Sequence, residues 1–228
     1  MTVIAYKLLY ENWTSGGHKW VIGEWQANVD DRCAEEFYVY ADPVLAIVLN
    51  PIYGDILHPL MAAFECENPR FRANEYGLIR HYQRMRAVGE ITAPNVNIIQ
   101  RLAMGIICAR QNMNDLEWLR WAEKWLNGDE ESRSFDAVFE AGWRGVITRT
   151  ASAAKTEQAL RAVMSAEINR QRASAVSVGQ AMIFAAEAEK DMQMAKRLVA
   201  EAVQAAAMEA GGVLDMAALV REACSYEK

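Results

Sequence analysis

Apolar positions recur with two different periods along this chain, and the change between them divides it. From Val3 to Tyr10 the residues alternate, with Val3, Ala5, Lys7 and Leu9 on one face and an apolar-aromatic face of Ile4, Tyr6, Leu8 and Tyr10. A period of two is that of a strand, so this segment is expected to belong to a sheet. Asn12 to Gly17 carries turn residues, and Trp20 to Trp25 reads as a second strand pairing with or neighbouring the first. Asp30-Asp31-Arg32 reads as a loop and Phe37 to Tyr40 as a short strand. Asp42-Pro43 supplies an N-cap and a first-turn proline for a short helix through Val44, Ile47, Val48 and Leu49, expected to end by Asn50-Pro51. Leu60 to Glu65 and Leu78 to Val88 are expected as further strands, the first stopped by Asn68-Pro69.

From Thr92 the period becomes helical. Pro94 is expected in a first turn, followed by an apolar face of Ile98, Ile99, Leu102, Ala103, Ile106 and Ile107. Asn114 to Glu117 has the form of a capping box, and Trp118, Trp121, Ala122 and Trp125 share one face of the helix it opens. The alanine-rich stretch from about Phe135 to Ala210 contains no proline and keeps helical spacing at Leu160, Val163, Met164, Ile168, Leu198, Val199 and Val203. It is expected to fold as two or three helices packed as a hairpin or bundle. Gly142, Gly145 and the Ser174–Gly179 segment are its break or close-packing points, and Gly211-Gly212 ends it before a last helix from Asp215. The fold class expected is α+β: a small, mainly antiparallel β-rich unit over residues 1–90, then an alanine-rich helical region over 91–228.

Composition narrows the function classes. The chain has 228 residues, 52% hydrophobic and 24% charged, which is globular rather than disordered. Its formal net charge of −6 argues against a general nucleic-acid binder. Residues 1–128 and 129–228 each hold 12 Lys+Arg and 15 Asp+Glu, so each part carries 12 − 15 = −3. Cys33, Cys66, Cys108 and Cys224 form no CxxC, a usage that fits a reducing cytoplasm. No secretory leader or bilayer-spanning run is read. His18, His58 and His81 stand at no metal-ligand spacing, and no glycine-rich phosphate loop or nucleophile elbow is present, so neither a metal nor a cofactor is expected.

One charge anomaly remains. Arg70, Arg72, Arg80, His81, Arg84 and Arg86 are opposed within the stretch by Glu75 alone. On a strand, Arg80, Tyr82, Arg84 and Arg86 would lie on one face, an arrangement able to grip another protein or an acidic or phosphate-bearing surface. The competing reading is a solvated sheet face paired with Glu65, Glu67 and Glu75. The tryptophans at helical spacing read first as core packing and second as a partner face.

Ile4-Ala-Tyr-Lys7, Tyr38-Val-Tyr-Ala-Asp-Pro43, Ala103-Met-Gly-Ile-Ile-Cys-Ala109 and the alanine tail resemble a group of proteins common in phages and bacterial mobile elements. That resemblance implies a phage or prophage accessory protein. Separately, Phe37 to Pro43 with Leu45-Ala46 is similar to the aromatic strand-then-helix segment of ADP-ribosyltransferases, and Glu65-Cys-Glu67 looks like their ExE pair. This resemblance implies that Glu67 would polarise a nicotinamide ribose. Lys7 stands where those enzymes carry Arg or His, and their Ser-Thr-Ser element is absent. The expected function is therefore non-enzymatic: a cytoplasmic protein that binds and inhibits or adapts another macromolecule, as a homodimer through its alanine-rich helices. The alternative is a transferase using Glu65 and Glu67.

Overall fold

The computed structural model describes residues 2–15, 17–27, 37–54, 56–70 and 76–226; the readings placed on Asp30-Asp31-Arg32, Cys33, Arg72 and Glu75 fall outside them. Two compact units form: Met1–Val96 with Gly211–Arg221, and Asn97–Ala210 with Glu222–Lys228. An antiparallel sheet in the first is followed by helices in the second, a mixed α and β architecture.

In the first unit the strands are β1 (Val3–Leu9), β2 (Thr14–Ser15), β3 (His18–Lys19), β4 (Trp25–Ala27), β5 (Tyr38–Val39), β6 (Leu60–Arg70) and β7 (Arg80–Ile91), with helix α1 (Pro43–Tyr53) between β5 and β6. The sheet order is β1-β6-β7-β4, and β5 also pairs with β7. The neighbour of β1 is thus β6 and not the Trp20–Trp25 segment. That segment leaves strand geometry because Trp20 turns into the core, only 2% exposed, where its indole N–H donates to Ser15 Oγ at 3.0 Å. Gly23, at φ +83°, then turns the chain toward β4.

Beneath the sheet lie Ala5, Leu9, Phe37, Val39, Phe64, Cys66, Met85 and Ala87. On β1 the core face is therefore the one carrying Ala5 and Leu9, the opposite of the aromatic face expected to be apolar. β6 also runs straight through Asn68-Pro69. The 12-residue β7 offers it a partner along that length, and Asn68, at φ +56°, takes a left-handed conformation that asparagine tolerates. In α1, Asp42 Oδ1 accepts from the Val44 N–H at 2.8 Å and the Leu45 N–H at 3.4 Å, the cap expected. The helix continues past Pro51 to Tyr53. Its end is set instead by Asn50, which accepts from the Ile56 N–H at 3.2 Å and donates to the Ile56 carbonyl at 2.8 Å.

Helix α7 (Met216–Cys224) begins at Asp215, whose carboxylate accepts from the Ala218 N–H at 3.0 Å. Its approach is tight: a Cβ on Gly212 would stand 3.3 Å from the Tyr76 Cα. Arg221 then reaches Asp42, the α1 cap, at 3.4 Å.

In the second unit, α2 (Ile98–Arg110) starts later than Pro94. Asn97 accepts from the Gln100 N–H at 2.8 Å while the Gln100 side chain accepts from the Asn97 N–H at 3.1 Å, and this reciprocal cap fixes the boundary. Helix α3 (Leu116–Leu126) is likewise capped by Asp115, whose carboxylate accepts from the Trp118 N–H at 2.8 Å, one residue beyond the Asn114 expected. Trp118 and Trp125 are buried, and the Trp121 indole N–H donates to the Ser132 carbonyl at 2.8 Å, so this stripe is packing. A 3-10 turn (Glu131–Arg133) leads to α4 (Phe135–Ile147), and then α5 (Ala151–Ser174) and α6 (Val178–Glu209) form a long antiparallel hairpin. Its buried positions are mostly small: Ala159 and Ala166 with Leu160 on α5, and Ala188, Ala195, Val199 and Ala202 on α6, with Ala166, Ala188 and Met192 in one cluster. No helix among the described residues is long and apolar enough to cross a membrane.

Candidate functional site

Two of the sheet arginines, Arg84 and Arg86, are already occupied. The β6–β7 register sets Glu65 opposite Arg86 and Glu67 opposite Arg84. Arg84 Nη1 donates to Glu67 Oε2 at 3.2 Å, and Arg86 Nε donates to Glu65 Oε2 at 3.0 Å. Both guanidinium groups also lie over the Trp25 ring, 4.5 Å and 5.0 Å from its centre. Tyr82 does not share their face. It is 4% exposed and packs in the core with Met85, while Gln83 and Arg84 between them are exposed. Arg80 is exposed near the strand start, opposite Val39. The four residues expected to make one basic face are therefore split among a core position, two ion pairs and a strand end.

Lys7 is fully buried in the first unit. Its ammonium donates to the Tyr38 carbonyl at 2.9 Å and sits 3.5 Å from the centre of the Tyr38 ring. Tyr38 in turn donates its hydroxyl to the Tyr53 carbonyl at 2.9 Å. Burial raises the Tyr38 hydroxyl pKa and raises that of Tyr40 well above the usual value. Burial likewise pushes the Cys66 and Cys108 thiols up to about 12, which leaves them unreactive at neutral pH. Among the described residues no group of three or more His, Cys, Asp and Glu side chains is placed to hold a metal ion.

The second unit carries the more unusual surface. Helix α4 starts at Ser134, whose hydroxyl accepts from the Ala137 N–H at 3.3 Å, with Asp136 in the first turn and Arg144 in the last to suit the helix dipole. Its inner face is made of Val138, Ala141, Gly142 and Gly145, which let α5 approach closely. Added Cβ atoms would meet Glu157 Cγ at 2.2 Å from Gly142 and Ala153 Cβ at 3.0 Å from Gly145. Apart from Val138, the large apolar side chains point the other way. Phe135, Phe139, Trp143, Val146 and Ile147 are 53%, 53%, 59%, 58% and 62% exposed. A globular helix ordinarily turns its large apolar stripe inward, so α4 is inverted. No protein-family model matches the chain, and no curated protein or solved structure matches it either.

Beside this stripe an open groove of about 550 Å³ runs along α5, lined by Phe135, Arg161, Met164 and Ile168 among others. The Arg161 guanidinium stands 5.9 Å from the Phe135 ring centre and 6.0 Å from that of Phe139. It is held there by Glu157 at 3.3 Å. Burial raises the Glu157 carboxyl pKa, and Arg161 partly counters the shift. The groove thus joins an apolar strip to two arginines, Arg161, which is paired with Glu157, and Arg172. The sequence contained a signal for it: Phe135, Phe139, Trp143 and Ile147 recur every four residues.

Proposed function

We propose that this chain is a non-enzymatic binding protein, working as a homodimer, that docks another protein on the outward face of α4 and thereby inhibits or adapts it. The observation that carries the reading is the inversion of α4, with glycines against α5 and five large apolar side chains toward solvent. A contiguous apolar patch of about 300–600 Å² is at the upper end for a monomer and is commonly a contact surface. Arg161 beside it is paired with Glu157, so the face favours a helical segment that is apolar on one side. The resemblance to phage and mobile-element proteins supports an accessory role in the cytoplasm of a host cell.

The transferase reading is less well supported. Glu65 and Glu67 are bonded to Arg86 and Arg84, and Lys7 is spent on Tyr38. An acidic or phosphate-bearing partner on the sheet would have to displace those carboxylates first.

The test is affinity capture from host lysate with the wild-type chain and a Phe139→Lys/Trp143→Lys variant, read by mass spectrometry. A protein retained by the wild type and lost by the variant, with the melting temperature unchanged, is expected. Equal capture by both chains overturns the reading.

A further inference from the structure

The α5–α6 hairpin ends in a stretch that no described residue of its own unit buries. Between Asn169 and Ala188, both buried, lie residues 170–187, and none of these 18 is buried. Ten are apolar by type: Ala173, Ala175, Val176, Val178, Ala181, Met182, Ile183, Phe184, Ala185 and Ala186. Three are charged: Arg170, Arg172 and Glu187. Val178, Met182 and Ile183 are 80%, 71% and 60% exposed. Ordering a residue costs about 1–2 kcal/mol of backbone entropy. A pair of helix ends without buried contacts has little to set against that cost.

We infer that residues 170–187 are the contact through which two copies of this chain associate, their hairpin ends laid side by side as a two-fold four-helix bundle. The inference deepens the homodimer part of the proposed function and does not depend on the α4 face. Charge points to a second copy. Within the stretch the α5 limb bears Arg170, which also reaches Glu167 of its own limb at 3.7 Å, and Arg172, while the α6 limb bears Glu187. Laid antiparallel about a two-fold axis, each limb meets the limb of opposite charge in the other copy. A patch carrying both signs suits itself better than a partner of one charge. The alanines lining the two limbs allow the close axial approach that a bundle needs. Eighteen uncovered residues come close to the roughly 20–30 residues a side of a standard interface.

Sedimentation equilibrium of the full chain across micromolar concentrations is the test, with the Met182→Glu/Ile183→Glu variant alongside. The wild type is expected at twice 25.6 kDa and the variant at 25.6 kDa. A wild type that stays at 25.6 kDa overturns both the dimer and this contact. A variant that stays dimeric overturns the contact alone and leaves the dimer standing. Amide hydrogen exchange of the wild type adds a readout free of any folding defect in the variant. Amides in 170–187 are expected to exchange slowly in the dimer and to speed up on dilution, and rates independent of concentration overturn the inference.

Discussion

Gly142 and Glu157 meet so closely that a methyl group on the glycine would stand 2.2 Å from the glutamate Cγ. That contact holds α4 against α5 with its large side chains outward. Gly142→Ala gains about 1 kcal/mol of helix propensity and forces the Glu157 side chain aside, at a cost of about 1–3 kcal/mol. Net destabilisation is expected in urea unfolding. Truncating the neighbour as well, in Gly142→Ala/Glu157→Ala, should recover part of the loss, a coupling that a double-mutant cycle reads directly.

The same carboxyl makes stability depend on pH in a defined direction. Burial raises the Glu157 pKa above its ordinary 4.5, so within that window the folded chain holds its proton more firmly than the unfolded chain. Where the folded state binds more protons, stability falls as pH rises. Glu157→Gln removes this contribution. Relative to wild type, the variant should gain stability as pH rises upward from 4.5, with a constant difference at lower pH. Unfolding curves across that range check the sign, and a variant that loses ground as pH rises contradicts it.

On the sheet, the two cross-strand pairs are partly exposed, with Arg84 and Arg86 side chains 46% and 35% accessible. Each pair is therefore expected to contribute no more than about 1 kcal/mol. Arg84→Gln/Arg86→Gln should lower the melting temperature slightly and leave partner capture intact. The charge-reversed double variant Glu67→Arg/Arg84→Glu should restore most of its pair. Loss of capture with no thermal effect would return the docking surface to the sheet.

Local chemistry made some of this fold legible. Asp42-Pro43 marked the start of α1, Gly211-Gly212 the end of α6, and Gly142 and Gly145 the close approach of two helices. Boundaries shifted where two caps competed, as at Asn114 and Asp115, or where a long partner strand carried β6 through Asn68-Pro69. The return of Gly211–Arg221 to the first unit depends on Tyr76 and Asp42, more than a hundred residues away, and leaves no local periodicity to read. At the candidate site the ion pairs of Arg84 and Arg86 followed from register, which alternation alone does not fix. Tyr82 left the expected face because strict alternation of burial fails between it and Arg84. The α4 stripe was visible as a period, but which face of the helix α5 would cover was not.

Hydrogen-exchange footprinting of the chain with and without its captured partner tests the central claim most directly. The account predicts that slowed exchange on binding falls on Phe135–Ile147 and the facing turns of α5, while amides of Arg80–Ile91 are unchanged. Protection confined to Arg80–Ile91, with α4 exchanging as in the free chain, would contradict it.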